Sequence, residues 1–236
     1  MVKPIQIHDY TGEVLLRSIG DIPSEGISKN FQCKTKFVPS GAEFFKLEYK
    51  HQFAAVPVHG WGLCAKFQMD GRRTIIDFVL PGDITSTWHS TNTNEIVTAS
   101  NDVILAILYE DTALNSTCNH DLTQLLASSI RRRYARVVER MAMAGRVGAL
   151  ERLSQLLLEL SMRSGVSIDG KAGSFKCPLK QADIGDALGL TSVHVNRILK
   201  ELRIRKLADM HHGLVKLLDI EQLVHISGFD YRYLKS

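Results

Sequence analysis

The 236-residue sequence predicts an α+β chain with a strand-rich first half, one long helix, and a C-terminal block of two short helices hinged at a glycine and followed by a hairpin. Three observations carry that prediction. Short runs broken by turn residues fill positions 35–110. No proline or glycine interrupts 119–144. Residues 181–203, QADIGDALGLTSVHVNRILKELR, place two apolar-periodic segments on either side of Gly189.

In the first half, WGLCAKFQM and RRTIIDFVL flank Asp70-Gly71, a two-residue hairpin signal of the type I′ kind, in which both central residues need positive φ. Along the second arm, Ile76, Phe78 and Leu80 fall on one face and Ile75, Asp77 and Val79 on the other. Pro81-Gly82-Asp83 forces a turn, and EIVTA (95–99) and VILAIL (103–108) are further strands. Strands at this spacing imply an antiparallel sandwich or barrel.

From 119 onward the period changes. Asn119 or Asp121 can cap a helix on which Leu126, Ile130, Tyr134, Val137, Met141 and Ala144 recur at spacings of four and three. Arginines at 131–133, 136 and 140 flank the stripe, so the seam is narrow and suits a two-helix contact. Homodimerisation through Leu126, Ile130, Tyr134, Val137 and Met141 is the expectation. After Gly145 and Gly148 a second amphipathic helix carries Leu150, Leu153, Leu157 and Leu160. Residues 164–174 read as a loop, KLADMHHGLVKLLD as two short strands, and DIEQLVHISG as a final helix.

The hinged pair is the most specific feature. Residues 181–188 form one helix, with Ile184, Ala187 and Leu188 inward. Gly189 ends it in a left-handed turn that a Cβ disfavours by about 1 kcal/mol or more. Gly185 stands where crossing helices need a small side chain. Thr191 caps a second helix whose Val195, Ile198, Leu199 and Leu202 face the core. That is the spacing of a helix-turn-helix. Its second helix then turns Ser192, His194, Asn196 and Arg197 outward near its N-terminus, where a helix in the major groove meets base edges. Arg197 suits guanine and Asn196 adenine. Thr191, Lys200 and Arg203 suit phosphates, and the hairpin at 205–218 forms a wing with Lys206 and His211 near the backbone.

The charge distribution agrees with an anionic partner. Residues 1–115 hold 10 Lys/Arg against 13 Asp/Glu, whereas 116–236 hold 19 against 12. The cysteines at 33, 64, 118 and 177 form no metal-ligand spacing, so no cofactor or metal is expected. Nothing resembles a nucleophilic triad, a P-loop or a dinucleotide fingerprint, which argues against an enzyme. No apolar run approaches the ~20 residues of a membrane span, and the N-terminus lacks the pattern of a signal peptide; a cytoplasmic location is expected.

The order of parts resembles the CRP/FNR family of bacterial transcription regulators. The resemblance is most specific in QADIGDALGLTSVHVNRILKEL, in GRVGALERLSQLLLEL and in LPGDI (80–84). It implies three parts. A β-roll sensory domain of the cyclic-nucleotide-binding type, with an N-terminal helical segment, covers 1–118. A dimerisation helix covers 119–145, and a winged helix-turn-helix covers 146–236. It also implies a homodimer on a two-fold symmetric double-stranded DNA operator, contact with RNA polymerase, and no catalysis. The chain departs from the family's cyclic-AMP cassette: Thr87 takes the approximate place of the ribose-binding glutamate, and no Lys or Arg occurs from 74 to 130. An anionic phosphate there would lack a counter-cation. With only Cys33 before the roll, the family's iron–sulfur cluster is not expected either, so the effector is left unassigned. Val193 stands where many family members carry glutamate, which alters the expected half-site. The alternative reading is a small-molecule or haem/gas sensor whose ligand in the β-roll gates DNA binding, with His51, Cys64, Trp88 and His89 as candidate contacts.

Overall fold

The computed structural model describes residues 33–45, 52–86, 95–109 and 118–234. The expected N-terminal helical segment, His51, Thr87, Trp88 and His89 lie outside the described residues.

The first half forms two antiparallel sheets. β1 (Cys33–Val38), β7 (Val103–Tyr109), β2 (Gln52–His59) and β5 (Thr85–Ser86) lie side by side in that order. The register pairs Val38 with Val103 and Ala55 with Ile107. β4 (Arg73–Val79), β3 (Gly62–Phe67) and β6 (Glu95–Ala99) make the second sheet. Val38, Phe44, Ala55, Cys64, Val79, Leu105 and Ile107 form a continuous apolar core. β2 is irregular at Pro57, which has no N–H to give a ladder. In the LPGDI turn, the Leu80 N–H donates to Asp83 Oδ2 at 2.7 Å, and Gly82 takes φ 92°.

The Asp70-Gly71 hairpin exists, but its turn is not type I′. Only Gly71 has positive φ (82°), and its N–H donates to Gln68 O at 2.9 Å. Met69 and Asp70 are therefore the central residues of a right-handed turn, and Gly71 is the left-handed bulge residue after it. The Asp70 carboxylate accepts from the Arg72 N–H and from Arg72 Nε.

α1 (Cys118–Ala144) and α2 (Ala149–Arg163) occupy the two stretches read as helices. The chain groups into two compact units. The first holds residues up to 64 with 78–130, and the second holds 65–77 with 131–236. In the second, β8 (Gly173–Lys176), α3 (Gln181–Leu188), α4 (Ser192–Ile204), β9 (Ala208–His211), β10 (Leu214–Leu217) and α5 (Ile220–Ser227) surround a core built on α2. Leu153, Leu157, Leu158 and Leu160 of α2 are fully buried there. A short 3-10 turn, Tyr231–Leu234, ends the described chain.

Candidate nucleic-acid interface

The hinge between α3 and α4 follows the expected chemistry. Gly189 has φ 65° and ψ 38°, the left-handed C-cap of α3. A Cβ on Gly185 would come within 2.5 Å of the Leu190 carbonyl oxygen. The small residue is thus required by the returning backbone of the turn rather than by a side chain of the crossing helix. Thr191 Oγ1 accepts from the His194 N–H at 3.2 Å and caps α4. Val195, Ile198, Leu199 and Leu202 are buried.

The opposite side of α4 faces solvent. Thr191, Ser192, Asn196, Arg197, Lys200 and Arg203 are exposed and His194 is half-exposed. Arg197 lies 2.9 Å from His194 Nε2, so the two side chains form one pair on the edge. Asn196 Nδ2 donates to Gln181 Oε1 of α3 at 3.1 Å. Arg203 differs from the other cations. Its Nε donates to Asp209 at 2.7 Å and its second nitrogen reaches His211 Nε2 at 2.8 Å, which ties α4 to the wing. Burial works against the Asp209 carboxylate, but the bond from Arg203 outweighs it and lowers its pKa.

The wing is larger than the sequence suggested. β10 pairs with β9 and also with β8, giving three strands in the order β8-β10-β9. His211 opposes Leu214 across a two-residue loop in which His212 (φ 50°) and Gly213 (φ 73°) are both left-handed. This is the primed turn that fits strand twist. Lys206 and His211 are exposed.

Two ionic features of the same unit escaped sequence reasoning. Arg73 on the β3–β4 hairpin donates to Asp183 at 2.7 Å and to Asp186 at 2.9 Å, and so grips α3. Asp183 also accepts the Lys180 N–H that starts the helix, at 2.9 Å. Asp183 and Asp186 sit one turn apart on α3, a visible hint of a cation, but nothing local names Arg73. The second feature is a buried ion cluster. Asp77, 2% exposed, receives Arg136 at 2.6 Å and Arg140 at 3.3 Å. Glu159 of α2, also 2% exposed, receives Arg140 at 2.7 Å, Arg163 at 3.1 Å and the Tyr233 hydroxyl at 3.2 Å. Burial alone would raise the Asp77 pKa, yet Arg136, Arg163 and Arg140 together hold it well below the usual carboxylate range. Burial likewise disfavours the charge on Arg140, but Glu159 and Asp77 raise its pKa.

This corrects the picture of arginines rimming an apolar seam, since Arg136 and Arg140 are consumed inside their own chain. Among the proposed seam residues, Ile130 (46%), Tyr134 (70%) and Met141 (75%) are exposed, Val137 is half-buried, and Leu126 is buried at 4% within its own chain. Val138, unforeseen, is exposed.

Cys64 is buried, and its thiol donates to Glu95 at 3.3 Å. Burial pushes the Cys177 thiol up to about 11, which keeps it protonated and unreactive near neutral pH. Among the described residues no His/Cys/Asp/Glu cluster is placed to hold a metal ion, and no helix is long and apolar enough to cross a membrane.

Residues 151–226, from α2 to α5, match the Crp-like helix-turn-helix domain. That match covers about a third of the chain and shows a Crp-like helix-turn-helix domain there. It is 30% identical over 138 residues to the nitrogen fixation regulation protein FixK of Rhizobium meliloti (strain 1021), a match covering 58% of this chain and 60% of that relative's length. Its fold is that of FixK2 from Bradyrhizobium japonicum, with a TM-score of 0.68 at 23% identity over 82% of this chain and 96% of that one. A CRP-family transcriptional regulator from Thermus thermophilus shares the fold with a TM-score of 0.62 at 19% identity, covering 82% of this chain and 96% of that one. Antiparallel sheets, a long helix and a winged C-terminal block follow one another along the chain, a CRP-like fold.

Proposed function

We propose that this chain is a homodimeric, sequence-specific DNA-binding transcription regulator of the CRP/FNR type, working in the cytoplasm. Its α4 edge enters the major groove of a two-fold symmetric operator. Arg197, Asn196, His194 and Ser192 meet bases there, and Thr191 and Lys200 meet phosphates. Arg203 acts by holding the wing against α4, and Lys206 and His211 approach the backbone beside it. The exposed Ile130, Tyr134 and Met141, with half-buried Val137, form the part of α1 that pairs with a second copy, so that two α4 helices sit about 34 Å apart. RNA polymerase is the downstream partner, and the effector of the sensory half is left unassigned.

The observation that carries this reading is the division of α4. Val195, Ile198, Leu199 and Leu202 are buried on one side, while the other side leaves a guanidinium, a carboxamide and an ammonium exposed and an imidazole half-exposed. The test is fluorescence anisotropy on a duplex selected from a random pool, against scrambled duplex, across a salt series. Selected DNA should bind at least about a thousandfold more tightly, with affinity falling steeply as salt rises. Equal affinity for both duplexes overturns the reading.

A further inference from the structure

Gln181 opens α3, the helix that does not carry the exposed reading edge. Its Oε1 nevertheless accepts from Asn196 Nδ2 on α4 at 3.1 Å, across 15 positions of sequence. Gln181 is half-buried and Asn196 exposed, whereas Ile184, Val195 and Ile198 of the same two helices are buried. A bond between two polar side chains at a wet edge returns little net stability, since water would satisfy the same groups and both side chains lose rotamer freedom. Its consequence is orientation.

We infer that Gln181 is a specificity-determining positioning residue that holds the Asn196 carboxamide in the orientation that reads adenine. This rests on the proposed role of α4 as the base-reading helix. A carboxamide has two N–H donors and one acceptor oxygen. The bond to Gln181 occupies one donor and leaves a donor and Oδ1 side by side. Adenine offers N7 as acceptor and its N6 amino group as donor, which complements that pair. Guanine offers two acceptors, N7 and O6, so Oδ1 would face O6 with no proton between them. Turning the Asn196 amide over alone would bring Oδ1 against Gln181 Oε1, two acceptors in contact, so the competing orientation requires both amides to turn together. Gln181 therefore disfavours the competing orientation without itself touching a base.

The experiment uses the full chain and a duplex selected from a random pool. Each adenine in turn is replaced by 7-deazaadenine, which lacks only the N7 acceptor, and affinity is measured by anisotropy for wild type, Gln181→Ala and Gln181→Glu. Wild type should weaken about tenfold at one adenine per half-site. In Gln181→Ala that sensitivity should fall below about twofold and the adenine-over-guanine preference there should fade, while other positions keep theirs. Gln181→Glu still offers an acceptor to Nδ2. It should retain both the sensitivity and the preference, although its charge weakens every duplex alike. An unchanged profile in Gln181→Ala, a profile in Gln181→Glu as flat as in Gln181→Ala, or a wild type insensitive at every adenine overturns the inference. Those failures leave specific binding by wild type intact. A wild type that cannot tell the selected duplex from scrambled DNA instead overturns the parent reading, and this inference with it.

Discussion

The second compact unit uses arginine in two opposite ways. In the cluster around Asp77 and Glu159, guanidinium groups are buried and met by carboxylates of their own chain. On α4, Arg197 is exposed and pairs with a neighbouring imidazole, that of His194. A buried guanidinium without a carboxylate would carry a desolvation cost of several kcal/mol, so the interior must neutralise it. A base-reading guanidinium must keep donors available, so the surface must not neutralise it. The comparison separates a stabilising arginine from the proposed recognising one by partner and burial, since the residue type is the same.

The largest effect should come from breaking the interior half of this contrast. Asp77→Ala strands Arg136 beside Arg140 and Arg163, and chemical denaturation should show a loss of about 3–5 kcal/mol. Acid should reach the same group. Folding lowers the Asp77 pKa, so its contribution is complete above the unfolded carboxyl value of about 4 and is lost as pH falls toward the folded value. Wild-type stability should therefore drop below about pH 4 more steeply than that of Asp77→Ala.

At the hinge that connects fold to recognition, Gly185→Ala should cost about 1–3 kcal/mol in thermal unfolding, because the new Cβ meets the Leu190 carbonyl rather than a movable side chain. Arg197→Ala inverts the Asp77 pattern. It should leave stability within about 0.5 kcal/mol. It should remove about 1–3 kcal/mol of discrimination at one base pair, with scrambled-DNA binding largely retained. Thr191→Ala should be the mildest, costing about 1 kcal/mol of α4 stability through the lost cap, as read by denaturant titration.

Legibility in the sequence followed the range of the interactions. The α3–α4 hinge was readable almost residue by residue. A left-handed glycine, a hydroxyl cap and a three-and-four apolar period all act within a few positions. Two hairpin turns show where local reading stops. Asp70-Gly71 carries the stronger type I′ signal but adopts a bulged right-handed turn, because its loop takes in Met69. His212-Gly213 carries the weaker signal and adopts the two-residue left-handed turn, because the register of β9 and β10 leaves it only two residues. β8 was missed as a wing strand for the same reason: Gly173 and Ser174 at the end of a polar loop, with Phe175 and Lys176 after them, become a strand only when β10 arrives to pair with them.

By itself, then, the order of residues determined the periodic elements, the glycine hinge and the outward polar edge of α4, because backbone sterics and apolar spacing operate over one or two helical turns. Tertiary structure alone decided which charges meet. Arg73 lies 110 positions from Asp183, and Arg136 lies 59 from Asp77. A side chain's electrostatic role depends on the partner and on the water excluded around the pair. Both are settled only when distant segments pack together.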